Sequence, residues 1–422
     1  MLATLGRAVK IGDLRARILF TLAMLLVFRL GVHVPTPGVI PERVQALFAS
    51  GSIFTLLDLF AGGALATVSV FAMSITPYIN SSIIVQLLTV VIPRLEEWAK
   101  EGEEGRRRLS QLTRYGTVLM ALLQAGGIAF YLNRAGALQW PGLPGMAVVA
   151  ITLTAGTILL MWIGEQITDK GIGNGISLLI FAGIVSRLPA GLVTLTRMWQ
   201  AGSVSLWQLI LLVVIGLAVM VAVVWVTEGQ RRIPVQYAKR VVGRRVYGGQ
   251  STHIPVRVNQ AGVIPVIFAS SLVALPLTVA SFFPRAGWAA FITRWFDWGT
   301  PLNTIVYFWL IIGFTFFYTA ITFNPQDIAD NLRKYGGYIP GLRPGRPTAE
   351  YLGRVVMRIT VAGALFLALI SVLPLLLRGI TNLGSIYFGG TALLIVVGVA
   401  LETMKQIEAH LLMRQYQGFM KR

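Results

Sequence analysis

Six apolar stretches of about twenty residues each leave this chain few places to fold other than a lipid bilayer. Tyr115–Asn133, Met146–Gly164, Leu206–Val226, Ala261–Phe283, Leu302–Phe323 and Val356–Leu377 each approach or exceed the roughly 20 residues a helix needs to cross a hydrocarbon core about 30 Å thick. Ile18–Val34 is slightly shorter and is stopped by Pro35 and Pro37. A basic start ahead of an apolar run also suits a cleaved signal peptide. The run is long for one, however, and no small-x-small cleavage site follows, so it reads as the first span. Three stretches are weaker. Phe71–Val91 holds Ser74, Thr76, Pro77, Asn80, Ser81, Ser82 and Gln86, Ile176–Val193 is interrupted by Arg187 and Pro189, and Ser385–Leu401 is only 17 residues long. Together these make ten spans, the pattern of an all-α polytopic membrane protein.

Composition agrees and excludes several chemistries. Only 13% of residues are charged, against about a quarter in soluble domains. The absence of cysteine excludes disulfides and thiolate metal sites. The three histidines, His33, His253 and His410, are far apart and show no ligand spacing,. No P-loop is present. Gly171-Ile-Gly-Asn-Gly175 is glycine-rich but lacks the spacing of a dinucleotide fingerprint and follows no strand, so it reads as a tight turn between two spans,. HExxH, GxSxG and intramembrane-protease motifs are also missing. Energy for any transport must therefore come from a partner, and an intramembrane enzyme is disfavoured.

The net charge of +19 is first a topology signal. The segments 1–17, 94–114, 165–175, 228–258, 324–358 and 402–422 hold 28 of the 36 lysines and arginines, which marks that side as cytoplasmic. Both termini fall on it, as an even number of spans requires. Two of these loops, 228–258 and 324–355, run about thirty residues each, a length that in compact proteins usually carries function. Their mixture of apolar, aromatic and basic residues, as in IPVQYAKR and YGGYIPGLRPG, suits a binding surface better than a spacer. Counting also divides the chain, with residues 1–195 holding five spans and 196–422 five more. An odd number per half gives the halves opposite topology, the inverted repeat that surrounds a path across the bilayer.

Ion-coupled carriers place Asp, Glu or His at the midplane. Here Glu165, Asp169, Glu228, Asp327 and Glu402 sit at span ends, which weakens a small-solute transporter as the alternative reading. Arg29 and Arg358 can snorkel to opposite interfaces. The run Ile53–Ser69 is apolar, yet it holds Asp58 and a Gly62-Gly63 break and is too short to cross. A re-entrant half-helix and an amphipathic surface helix fit it equally well on periodicity. In the second span Ile75 and Ile79 share one helical face, and Ile180 and Ile184 repeat that spacing in the fifth,. On their own such pairs most often serve as core or lipid contacts.

Several longer strings carry more. AGGALATVSVFAMSITPYINSSIIVQLLTVVIP, EGEEGRRRLSQLTRYGT, MWIGEQITDKGIGNGISLLIFAGIV, GQRRIPVQYAKR, STHIPVRVNQAGVIPVIFASS, FNPQDIADNLRKYGGYIPGLRPG and TALLIVVGVALETMKQIEA resemble, in order and over nearly the whole chain, the SecY / Sec61 alpha family of protein-translocation channels. The resemblance implies ten transmembrane helices in two inverted five-helix halves that close like a clamshell, and a passive, non-enzymatic channel without cofactors in the bacterial inner membrane. It implies a pore ring at Ile75, Ile79, Ile180, Ile184, Ile267 and Ile395. It implies a plug half-helix around 54–67, with Phe54, Leu57, Asp58, Gly62, Gly63 and Thr67. A lateral gate for transmembrane helices would carry Asn80 and Gln124, with Ser270 and Ser271 as facing candidates. Docking of the SecA motor or the ribosome would fall on Arg231, Arg232, Lys239, Arg240, Tyr338 and Arg343. The implied partners are SecE and SecG as fellow subunits, signal sequences and unfolded polypeptides as cargo, and membrane lipid.

Overall fold

The computed structural model describes residues 11–44, 64–65, 67–237, 240–242, 245–247, 251–283, 286–297, 300–381 and 390–420. Thirteen helices and five short strands follow one another along these residues. Helix α1 covers Gly12–Gly31, α2 Thr76–Val91, α3 Pro93–Lys100, α4 Glu103–Arg134, α5 Leu143–Lys170, α6 Gly175–Gln200 and α7 Leu206–Glu228. Strands β1 (Gln230–Tyr237), β2 (Arg240–Val242), β3 (Arg245–Tyr247) and β4 (Ser251–Arg257) come next. Then follow α8 (Ile264–Phe282), α9 (Gly287–Phe296), α10 (Pro301–Thr322), α11 (Pro325–Lys334), β5 (Gly337–Tyr338), α12 (Arg346–Thr381) and α13 (Gly390–Met420).

Each of the ten apolar stretches read from the sequence coincides, at least in part, with a helix. Among the described residues, six helical stretches are long and apolar enough to cross a membrane: α4, α5, α6, α7, Pro301–Lys334 and Arg346–Pro374. The α2–α3 pair forms a seventh if counted as one broken span, bent by 102°. Pro93 causes that break. It opens α3 at a position where its missing N–H is harmless, and it forces Ile92 before it into the extended region, at φ −102° and ψ 112°,.

The chain gathers into two compact units. The first comprises Met1–Ser205, Ser270–Asn303 and Val399–Arg422, and the second Leu206–Ala269 and Thr304–Gly398. In the first unit α4 packs along both α2 and α5. Small residues permit the close approach. A side chain at Gly116 would meet Ser81, whose hydroxyl instead donates to the Thr113 carbonyl at 2.8 Å. A side chain at Gly175 would meet the backbone of Gly164, so α5 and α6 join through backbone contact.

The stretch 94–114, read from the sequence as a cytoplasmic loop, is instead helix α3 and the first turns of α4. Glu103 and Glu104 lie in the first turn of α4, where the helix dipole favours them,. They pair with Arg107 and Arg108 four residues on, at 3.0 and 2.9 Å, an arrangement that supports an exposed helix. The glycine-rich turn between α5 and α6 is built by side-chain hydrogen bonds. Ile172 N–H donates to Thr21 Oγ1 at 3.0 Å, Gly175 N–H to Thr168 Oγ1 at 2.9 Å, and Asn174 caps α6 by accepting from Ser177 N–H at 3.1 Å. Beneath it Leu14, Ile172, Ile407 and Leu411 form a small apolar cluster. That cluster carries α13 well past the predicted end of the tenth span at Leu401.

In the second unit the two long loops fold into a sheet of order β4-β1-β5, an addition to the all-α expectation. The β1–β4 hairpin pairs Ile233 with Ile254 and Val235 with Thr252, and β1 also pairs Gln236 with Tyr338 of β5. Ile233 and Val235 point inward while Arg232, Pro234 and Gln236 point out, the two-residue period of a half-buried strand. Their inner face packs with Val256, Leu332, Ile339, Leu352 and Val355 into one apolar core.

Candidate functional site

A groove within the first unit runs between α2, α4 and the part of α8 from Ser270 onward. It encloses about 510 Å³ of empty space, its open mouth included, and its lining includes Met73, Asn80, Gln124, Ile128, Ser271 and Thr278. Asn80 projects from α2 one turn beyond Thr76. Gln124 lies one turn before Ile128 on α4, and Ser271, Ala274, Leu275 and Thr278 form one stripe of α8,. Polar groups from three helices therefore face one apolar-walled groove. Asn80 and Ser271 are buried at 4% and 7% exposure, and Ser270 is buried beside its neighbour but does not line the groove.

Of the four predicted gate residues, three share this groove. The sequence reading did not single out Met73 or Thr278. Thr278 was accessible to the same logic, since it lies seven residues, two helical turns, after Ser271.

The isoleucines read as a ring are all buried. Ile75 caps the start of α2, its carbonyl accepting from Ile79 N–H at 3.1 Å, so the two stack one turn apart. Ile180 and Ile184 repeat that geometry on α6. In the second unit Ile267 lies on α8 and Ile395 is fully buried on α13.

Phe54, Leu57, Asp58, Gly62 and Gly63 lie outside the described residues. Thr67 is described; it is exposed and donates to the Ala64 carbonyl at 3.4 Å. The segment that follows is firmly anchored. Thr36 N–H donates to Val68 O and Val70 N–H to Val34 O, both at 3.0 Å. The Phe71 ring stacks on Phe28 at 6.1 Å, and Gly31 and Gly156 leave room for no side chain against Phe71 and Val70. Val68 and Ser74, at φ +42° and +52°, occupy the left-handed region that non-glycine residues rarely adopt. For a β-branched valine this stores strain. A conformationally strained connection thus leads into the helix that bears Ile75, Ile79 and Asn80.

Arg231, Arg232, Tyr338 and Arg343 are exposed on the sheet and the turn after it, and Tyr338 Oη donates to Gln236 Oε1 at 3.1 Å. Lys239 and the side chain of Arg240 lie outside the described residues. Arg232 and Gln236 on β1 share a face with Tyr338 on β5, so the sheet joins residues of both long loops on one surface, while exposed Arg231 alternates to the opposite face at the start of the strand,.

Comparison with known proteins places this geometry. The family profile that matches is SecY, over residues 69–404. The chain is 49% identical over 438 residues to the protein translocase subunit SecY of Halalkalibacterium halodurans, with 100% of both chains covered. Among solved structures, one of SecY, in which the plug domain stabilises the closed state of the translocation channel and maintains a membrane seal, matches with a TM-score of 0.66 at 20% identity. That match covers 94% of this chain and 92% of the other. Sec61 in the canine ribosome–channel complex from the endoplasmic reticulum matches with a TM-score of 0.61 at 18% identity, over 94% and 92%.

Proposed function

The chain belongs to the SecY family, and on that footing we propose that it is the channel subunit of a protein translocase. It carries unfolded polypeptides across the membrane and releases transmembrane helices sideways into lipid. It is a channel and not an enzyme, and the motor is a partner: SecA or the ribosome, docked on the basic sheet and on Arg343. SecE and SecG are its fellow subunits. Its setting is the bacterial inner membrane, with both termini cytoplasmic and the halves 1–195 and 196–422 related as inverted repeats.

The observation that carries this reading is the groove at Asn80, Gln124 and Ser271, with Asn80 next in sequence to buried Ile79 and five residues beyond buried Ile75, the N-cap of the same helix. A conduit for unfolded chains must accept every side chain, so it cannot rely on a specific polar binding site. Branched aliphatics form a deformable gasket around an extended backbone, and a narrow apolar waist resists wetting when idle. Beside it, a seam meant to open must hold together weakly. Side-chain hydrogen bonds between membrane helices average only about 0.6 kcal/mol, a strength that thermal motion and an arriving apolar helix can overcome. The segment 54–67 serves as plug, and the strained residues Val68 and Ser74 form its root.

Disulfide crosslinking tests the reading directly, since the chain contains no cysteine. A cysteine at Ile79 is expected to crosslink to one in a stalled secretory chain, dependent on SecA and ATP. Crosslinks confined to outward, lipid-facing positions would place the path elsewhere and reject the ring.

A further inference from the structure

Helix α9 lies between Ala261–Phe283 and Leu302–Phe323, two stretches read from the sequence as spans, and nothing in the channel reading uses it. It follows the end of α8 remote from the β-sheet. Trp288, Phe291 and Trp295 are 47%, 59% and 48% exposed, whereas Ala289 is 1% exposed. At 3.6 residues per turn the three aromatic side chains fall within an arc of about 60°. Exposed Arg294 borders that arc, exposed Ala290 lies beyond it, and Thr293, half-buried, lies roughly opposite.

We propose that α9 is an interfacial helix, lying in the plane of the membrane with Trp288, Phe291 and Trp295 seated among the lipid headgroups and upper acyl chains. Four residues separate α9 from α8 and four from α10, tethers that reach at most about 14 Å. Both neighbours are strongly apolar helices, so α9 cannot leave the membrane surface. Its orientation is also set. The Asn303 amide donates to Phe296 O at 2.9 Å and to Asp297 O at 3.2 Å, and Thr300 Oγ1 donates to Trp295 O at 2.7 Å. On the other side Phe283 contacts Trp288 at 5.8 Å and Phe130 of α4 at 6.4 Å, with Arg134 over Phe130 at 4.6 Å. The helix therefore presents three faces in order: a protein face at Ala289 and Thr293, a water face at Ala290 and Arg294, and an aromatic face. Tryptophan and phenylalanine beside an arginine are the composition of helices that bind the bilayer interface. Through the Phe283–Phe130 contact, this lipid-held helix joins the α4 wall of the groove.

The test uses the assembled translocase in vesicles of phosphatidylethanolamine and phosphatidylglycerol. Single cysteines at positions 288, 290, 291, 294 and 295 are spin-labelled and probed with oxygen, which partitions into lipid, and with a water-soluble nickel chelate. Positions 288, 291 and 295 are expected to favour oxygen several-fold over positions 290 and 294. Equal nickel access at all five sites would place the helix in water. Low access to both reagents at the aromatic positions would show a protein partner covering them. Either result overturns the proposal. A second measurement needs no substitution: under hydroxyl-radical oxidation Trp288 and Trp295 should react several-fold more slowly than the 76% exposed Tyr335, and equal rates would reject lipid burial. Neither readout depends on translocation activity, so failure here leaves the channel reading intact.

Discussion

The backbone N–H of Gly173 donates to the side-chain oxygen of Gln406 at 2.9 Å, a bond that spans 233 residues of sequence. Gly173 sits at φ +90°, a conformation that suits glycine, and the turn around it draws a partner from each of α1, α5 and α13. Gln406→Leu strands the N–H and is expected to destabilise the protein by about 1–3 kcal/mol. Gln406→Glu keeps an acceptor and should recover most of that loss. Thermal denaturation of the purified protein compares the two.

Glycines on the packed helices should rank by what their missing side chains would strike. Gly156→Ala drives a methyl into the Val70 backbone carbonyl, which cannot rotate aside. Gly116→Ala meets only the Ser81 hydroxyl, and Gly126→Ala meets nothing within 4 Å. The first should cost about 1–3 kcal/mol, the second less, and the third should cost nothing and gain up to about 1 kcal/mol from helix propensity. A different order in melting temperature would contradict the α2, α4 and α5 packing.

Replacing Asn80 and Gln124 together by leucine removes two polar groups from the groove and leaves Ser271 and Thr278 in its lining. The closed seam then buries fewer polar groups and more apolar surface, so it should open less readily. With hydrogen bonds worth about 0.6 kcal/mol each, the expected change is a few-fold. In a membrane-insertion assay with graded segments, the midpoint should move toward more hydrophobic sequences. A shift toward less hydrophobic ones would reverse the proposed role.

Arg343→Glu alters an exposed site on the turn after β5. Surface substitutions of this kind usually change stability by less than about 0.5 kcal/mol. Motor-driven transport and ribosome binding should nevertheless fall, most steeply at low salt, where charge contacts are least screened. Normal transport by this variant would remove Arg343 from the docking surface.

The membrane helices were legible because a bilayer demands long apolar runs, and few soluble folds imitate them. The sheet was not, for a local reason: Pro234 and Pro255 sit inside β1 and β4, and proline argues against a strand. They are tolerated in a small sheet whose strands pair over seven positions and whose inner face is filled by Ile233, Val235 and Val256. The pairing of Gln236 with Tyr338 joins residues a hundred positions apart, which no local pattern reveals. The groove was partly legible. Asn80, Gln124 and Ser271 stand out as polar residues in apolar helices, whereas Met73 resembles any other core residue. Helix α9 escaped because ten residues are too few for a span and its aromatic arc appears only once the helix is drawn.

The β1–β5 pairing carries a mechanical consequence. Two long loops far apart in sequence are stitched into a single plate, backed by the core that includes Leu332 and Leu352. On the docking proposed above, a motor pushing on Arg343 also loads β1, β4 and the helices that lead into and out of them. Force applied at one tip arrives as a torque on α7, α8, α11 and α12 together, so a partner needs to grasp only one handle to strain the whole second unit.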